Sequence, residues 1–205
     1  NPKHKAAGQR IFNYVHTNSS AKFALQRAPA GQKGSPRLGW EGNDVPLPAG
    51  NWPLIAASAI PYSPQNQVPR AATRADMAAI KADFVRATEW AIEIGFDWLE
   101  LHCAHGYLFA SFLSPATNQR TDEYGGSLAN RVRFPLEVFS AMRAVWPANK
   151  PMSVRISAHD WLPDGNTPED AVEIARLFKA AGVDLIDVSS GQTTPNSKPL
   201  YGRMY

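Results

Sequence analysis

The sequence predicts an α/β fold with a parallel sheet, as a (β/α) barrel or an open doubly wound sheet. Three observations lead there. Short apolar runs alternate with longer segments of helical periodicity, the strand-then-helix repeat from which parallel sheets are built. Polar residues gather at the ends of the apolar runs, where such folds carry their chemistry. No Gly-x-Gly-x-x-Gly follows a strand, so a dinucleotide-binding Rossmann reading loses ground. At 205 residues the chain is long enough for one sizeable domain.

Asn1 to Val15 reads as the middle of an amphipathic helix, with Ile11, Phe12 and Val15 on one side, and Thr17-Asn18-Ser19-Ser20 breaks it. Lys22-Phe23-Ala24-Leu25-Gln26 follows as a short buried strand ending in a polar amide. Residues 27–71 form one long loop rich in Pro and Gly, a length that in a compact domain often marks function. Within it Leu54-Ile55-Ala56 has the character of a short strand, and Trp40, Trp52 and Tyr62 argue against disorder. Thr73 is placed to cap a helix, with Asp76 completing a capping box; Met77, Ile80, Phe84, Ala87 and Ala91 form its apolar face and Gly95 ends it.

Phe96 to Leu101 reads as a buried strand of the parallel kind. Ser114-Pro115 and Asn118 to Ser127 form a polar loop. A helix from about Leu128 to Val145 follows, with Val132, Leu136, Phe139 and Met142 on its apolar face. Pro135 inside it predicts a kink or restart, and Pro147 stops it. Met152 to Ser157 is the next strand, and its Arg155 must be paired or must meet a ligand. Pro163-Asp164-Gly165 is a turn. Thr167-Pro168-Glu169-Asp170 opens another helix, with Val172, Ala175 and Phe178 inward and Gly182 at its end. Leu185 to Gly191 is a strand running into a Ser/Gly loop.

Composition narrows the function. The net charge of +3 comes from scattered basic residues, with no stripe interleaved with aromatics, so nucleic-acid binding is not suggested. No apolar run reaches the length of a membrane span, and no signal pattern is present. The single Cys103 forms no internal disulfide framework and predicts a reducing, cytoplasmic compartment. The chemistry concentrates in Leu99-Glu100-Leu101-His102-Cys103-Ala104-His105-Gly106-Tyr107. Two imidazoles at a strand's carboxyl end can donate hydrogen bonds to a substrate oxygen, and a phenol there stays protonated at neutral pH and can give a proton away. Donors that polarise a carbonyl, with a proton donor beside them, suit reduction of an activated C=C bond. The same cluster is too sparse for a metal: His-x-x-His and one Cys lack the carboxylates to complete a shell, so no metal site is expected.

The tract His102-Cys103-Ala104-His105-Gly106-Tyr107-Leu108, then Phe112-Leu113-Ser114-Pro115, is followed by a longer motif. That motif is Asn118-x-Arg120-Thr121-Asp122-x-Tyr124-Gly125-Gly126-Ser127-x-x-Asn130-Arg131-x-Arg133-Phe134. Together they resemble the old yellow enzyme family (NADH:flavin oxidoreductases), FMN-dependent ene-reductases. The tracts Val154 to Ser157 and Asp187 to Gly191 fit the same family, and the resemblance runs over essentially the whole chain. Leu38-Gly39-Trp40-Glu41-Gly42-Asn43-Asp44 and Lys198-Pro199-x-Tyr201-Gly202-Arg203-Met204 resemble the reductase half of salicylyl-CoA hydroxylase and aminobenzoyl-CoA monooxygenase/reductase fusions.

The resemblance implies a (β/α)8 TIM barrel with FMN at the strands' carboxyl ends. Residues 1–205 would be the central part of that one domain, carrying strands three to six. It implies NADH or NADPH as reductant, a small-molecule substrate with an activated C=C bond, aromatic acyl-CoA intermediates among the candidates, and a monooxygenase domain fused in the parent protein. Gln26 and Arg155 would bind the flavin, Arg155 near the edge where a cation stabilises the anionic reduced ring. His102 and His105 would bind the substrate's acceptor oxygen. Tyr107, also substrate-binding, would be the catalytic proton donor. The motif from Asn118 to Arg133 would be architectural. The family pattern Leu-Gly/Ala-His-x-Gly-Arg-Lys after Gln26 is here Arg27-Ala28-Pro29-Ala30-Gly31-Gln32-Lys33, with Pro29 for a His and Gln32 for an Arg. A whole barrel needs about 250 residues, so the flavin's phosphate site is expected outside this chain. Two alternatives stay open: a non-catalytic fragment that needs the rest of the barrel, and a dienoyl-CoA reductase or amine dehydrogenase relative.

Overall fold

The structure is a computed structural model and describes residues 2–42 and 44–200. In chain order its elements are helix α1 (Pro2–Asn18), strand β1 (Ala24–Arg27), two 3-10 turns (Gly31–Lys33 and Gly39–Glu41), the two-residue strands β2 (Ile55–Ala56) and β3 (Arg70–Ala71), and helix α2 (Arg74–Ile94). Strand β4 (Trp98–Cys103), helices α3 (Leu108–Leu113) and α4 (Leu128–Val145), strand β5 (Met152–Ser157), helix α5 (Pro168–Ala180) and strand β6 (Leu185–Ser189) complete it. The main sheet runs β1-β4-β5-β6, every pair parallel. The order follows the chain with no reversal. A doubly wound sheet would reverse at a switch point, so the order selects an arc of a (β/α) barrel.

The alternation of the strands sorts the chemistry. Leu99, Leu101 and Cys103 of β4 and Met152, Val154 and Ile156 of β5 lie in one buried cluster with Met77, Phe84 and Ala91 of α2, Val132, Phe139 and Met142 of α4, and Phe178 of α5. The intervening residues Glu100, His102, Ser153, Arg155 and Ser157 take no part in that cluster. They line the face turned away from the helices, as the period of two requires.

Helix ends follow local chemistry. Thr73–Asp76 and Thr167–Asp170 each form a reciprocal capping box, and Gly95 closes α2 in the left-handed region at φ 105°. Trp146 is extended because Pro147 follows it. The residues from Asn118 to Arg133 hold the loop before α4. Asn118 donates to the carbonyls of Phe112 and Tyr124 (2.7 and 2.8 Å), and Arg120 donates to those of Ala57 and Ala72 while clamping Asp122. Arg131 reaches the carbonyls of Leu113 and Gly126, both at 2.7 Å.

Several sequence expectations need correction. Strand β4 starts two residues later than expected, because the Phe96 N–H still closes α2 onto Ala91. Strand β1 is half exposed, since it pairs only with β4. Ile11 of α1 is exposed; the helix docks through Phe12, which packs against Phe23 and Phe96. Val172 is exposed, and α5 buries Ala171 and Ile174 alongside the expected Phe178. Helix α4 continues through Pro135 with no restart. Five buried apolar neighbours (Val132, Phe134, Val138, Phe139, Met142), at roughly 1.5–3 kcal/mol each, outweigh a proline cost of about 3 kcal/mol. Trp40 and Trp52 are exposed, so they do not order the long loop; buried Gln32, Ser35 and Leu54 and the β2–β3 pairing do. Helix α3 was not foreseen.

Thr167→Ala removes one capping hydroxyl and is expected to cost about 1 kcal/mol. The measurement is urea unfolding, with a lower midpoint at unchanged slope and recovery in Thr167→Ser.

Candidate active site

Strand β4 delivers His102 at its carboxyl end, facing away from the helices and almost fully buried. The chain then turns sharply into α3. His105 sits in the left-handed region at φ 62° and Gly106 at φ 71°. A Cβ on Gly106 would lie 2.7 Å from the Gln192 carbonyl oxygen, so only glycine fits between the two loops. The His105 conformation costs energy for a residue with a side chain. Its backbone is tied on both sides: its N–H donates to Ser157 Oγ at 3.0 Å and its carbonyl accepts from Lys33 Nζ at 3.1 Å.

The two imidazoles form a directed chain. The Ala104 N–H points at His102 Nδ1, 3.3 Å away, so that nitrogen is the acceptor. Neutral His102 then carries its proton on Nε2, which lies 3.2 Å from His105 Nδ1. His105 accepts there and holds its own proton on Nε2, which donates to Ser189 Oγ at 2.6 Å. Both rings are neutral at pH 7: burial pushes each pKa down to about 4, and His105 for His102, with Arg155 and Lys33 for both, adds to the shift. Tyr107 packs edge-on against His102, ring centroids 5.2 Å apart, at the start of α3.

Arg155 stands opposite His102 across the β4–β5 register. Its Nη2 is 3.4 Å from Ser189 Oγ, and its Nε lies 3.3 Å from Asp187 Oδ2. That approach pairs the charges but misaligns the N–H, so the buried Nε has no hydrogen bond. Gln26 faces the same side one step lower, where its Nε2 donates to Glu100 Oε1 at 2.7 Å. The structure therefore brings His102, His105, Tyr107 and Arg155 together and leaves Gln26 two residues further down the sheet.

Sequence reasoning missed three neighbours. Lys33 Nζ lies 4.4 Å from the Tyr62 ring centroid and 5.3 Å from that of Tyr107, and burial lowers its pKa. Burial, with Asp44 and Tyr107 nearby, raises the pKa of Tyr62. Ser189 ends the imidazole chain. The only signal for Lys33 was its place in the pattern after Gln26. Nothing local marks Tyr62, which sits mid-loop. The two departures in that pattern are accommodated: the Pro29 carbonyl accepts the Leu108 N–H, and buried Gln32 donates to the Thr193 carbonyl at 3.2 Å.

With this geometry in place, comparison with known proteins gives a consistent result. The sequence profile of the NADH:flavin oxidoreductase / NADH oxidase family matches residues 4–200. An NADH:flavin oxidoreductase of Gibberella zeae is 42% identical over 204 residues, covering 92% of this chain and 49% of that protein. An NADPH dehydrogenase of Geobacillus sp. (strain WCH70) is 43% identical over 194 residues, covering 95% and 52%. Among solved structures, 2-naphthoyl-CoA reductase in complex with 2-naphthoyl-CoA superposes with a TM-score of 0.80 at 25% identity, over 95% of this chain and 30% of that one. The chain spans about half the length of the curated relatives it matches. Among the described residues no helix is long and apolar enough to cross a membrane.

The depressed histidine pKa values set a pH dependence. Between about 4 and the ordinary value of about 6.5, the unfolded chain binds more protons than the folded one, so stability rises with pH. The contribution is complete above the unfolded value and lost as pH falls towards about 4. Urea unfolding at intervals from pH 7 to 4.5 should show this decline, and His102→Gln with His105→Gln should flatten it.

Proposed function

The chain belongs to the NADH:flavin oxidoreductase / NADH oxidase family, and from that premise we propose that it serves an FMN-dependent NAD(P)H oxidoreductase that reduces activated C=C bonds. The observation that carries the proposal is the grouping of two neutral imidazoles and a phenol at the end of β4, beside the Arg155 cation.

The residues present fit a flavin. Arg155 offers a buried Nε–H that pairs its charge with Asp187 but makes no hydrogen bond, and Gln26 offers a carboxamide on the same face of the sheet. Arg155 would hold the edge where negative charge gathers on reduction, and Gln26 the polar pyrimidine edge. FMN, when bound, supplies the two-electron relay that takes hydride from NAD(P)H and passes it to the substrate. The chain's own residues do the rest. His102 and His105 each carry a ring N–H that now points to His105 and Ser189, and a substrate carbonyl oxygen would replace those acceptors. Bound there, the oxygen draws electron density from the conjugated C=C bond.

Hydride enters at one alkene carbon, and the other must receive a proton. The imidazoles are poor sources, because with pKa values of about 4 neither carries an extra proton near neutrality. Tyr107, the phenol packed against the His102 ring, is the donor in this proposal, and its O–H bond breaks as the C–H bond forms.

For substrate we assign aromatic acyl thioesters of coenzyme A. Two things support this: the resemblance of residues 38–44 and 198–204 to reductase halves acting on such compounds, and the likeness to 2-naphthoyl-CoA reductase. Asn43 and Tyr201 to Met204 lie outside the described residues. A monooxygenase domain elsewhere in the parent protein belongs to the same reading.

Titrating FMN into the purified chain should give saturable quenching of flavin fluorescence; unchanged fluorescence at saturating protein would overturn FMN binding by this chain alone, in favour of a fragment that needs the rest of the barrel. In the flavin-loaded protein, Tyr107→Phe should slow oxidation by substrate about 10²- to 10⁴-fold and leave reduction by NAD(P)H unchanged. Rapid-mixing kinetics of the two half-reactions separate these outcomes.

A further inference from the structure

Below the histidines, on the same face of the sheet, lies a polar network of which the mechanism above uses Gln26 alone. Glu100 sits in the middle strand of three. It stands opposite Gln26 of β1 on one side and Ser153 of β5 on the other. Its Oε1 accepts from Gln26 Nε2 at 2.7 Å and its Oε2 accepts from Ser153 Oγ at 2.7 Å. Ser153 Oγ in turn accepts from Trp98 Nε1 at 2.8 Å.

Every proton in this chain has one possible direction. An indole N–H only donates, so Ser153 receives it and turns its own hydroxyl proton to Glu100. A carboxylate only accepts, so Gln26 must offer its NH2 end. Side-chain amides are often ambiguous by half a turn; here the chemistry of the partner removes the ambiguity. The Gln26 carbonyl oxygen is consequently left as the free acceptor before any ligand arrives. The pyrimidine ring of a flavin carries one N–H between two carbonyls, and an amide presenting its oxygen is complementary to that imide N–H.

We infer that Glu100 is a positioning residue: it sets the orientation of the Gln26 carboxamide so that Oε1 faces the flavin imide N–H. The inference rests on FMN binding as proposed above. The competing interpretation is that Glu100 only ties the half-exposed strand β1 to its neighbours. That role would affect stability and weaken all flavins alike. A positioning role affects discrimination between flavins that do and do not carry the N–H.

The test is the ratio of dissociation constants for N3-methyl-FMN and FMN, measured by fluorescence quenching on the purified chain. The wild type should favour FMN by about tenfold, the worth of one hydrogen bond to a site built for it. Glu100→Ala should bring the ratio close to one. Glu100→Gln should keep most of it, because its Oε1 can still accept from Gln26 while its NH2 donates to Ser153. Ser153→Ala, a smaller change that leaves Glu100 in place, should lower the ratio partway and covers the case in which Glu100→Ala does not fold. A wild-type ratio retained in both alanine variants overturns the inference, as does a Glu100→Gln protein that loses as much as Glu100→Ala. A second measurement separates this failure from failure of FMN binding itself. In the ligand-free chain the Gln26 side-chain amide protons, followed by NMR, should exchange more slowly in the wild type than in Glu100→Ala. That slower exchange with no flavin binding by the wild type would overturn FMN binding by this chain alone and the role given to Glu100 with it.

Discussion

One pairing register governs this molecule. Glu100 stands opposite Gln26 and Ser153, and His102 stands opposite Arg155, because β4 is held between β1 and β5 at a single offset. A slip of one residue would turn Leu99, Leu101 and Cys103 away from the helices and bury Glu100 and His102 against them. The apolar face prevents that slip. Leu99 and Leu101 are fully buried against phenylalanine-rich helices, and exchanging them for a carboxylate and an imidazole would cost far more than any hydrogen bond could return. The site is a by-product of core packing: once the hydrophobic face of β4 and β5 is chosen, Glu100, His102, Ser153, Arg155 and Ser157 line the other one.

The electrostatics of that polar face divide the labour within it. Arg155 and Lys33 flank the histidine pair, and their charge together with burial keeps both rings neutral. Neutral rings are directional donors with defined tautomers, and the Ala104 N–H starts the sequence of assignments by occupying His102 Nδ1. A protonated pair would instead repel itself across 3.2 Å and add cations beside Arg155. The arrangement suits hydrogen bonding to an oxygen, and in the proposed function proton delivery falls to the Tyr107 phenol.

The long segment from residue 27 to 71 shows where sequence reading loses its grip. Its tryptophans suggested order, yet Trp40 and Trp52 are exposed, and besides Leu54 the segment is held by polar side chains such as Gln32 and Ser35. Buried Gln32 reaches across 161 positions to the Thr193 carbonyl, and Lys33 reaches the carbonyls of His105 and Gln192. Contacts of this kind join loops that meet only because the sheet brings strand ends together. No local pattern encodes them. Tyr62 and Ser189 were overlooked for the same reason, whereas Arg155 was legible because a guanidinium inside an apolar strand is anomalous wherever it occurs.

The sequence by itself determined the parallel α/β class, the capping box at Thr73, the helix start at Thr167 and the family motif, because each rests on near neighbours in the chain: periodicity, caps and contiguous residues. Tertiary structure alone decided that α4 passes unbroken through Pro135, that α5 turns Ala171 inward in place of Val172, and that α3 forms at all. In each case burial against distant elements outweighed a local preference of a few kcal/mol. It also decided the tautomers of His102 and His105 and the orientation of Gln26, since a proton's position depends on its partner, and those partners meet only in the folded chain.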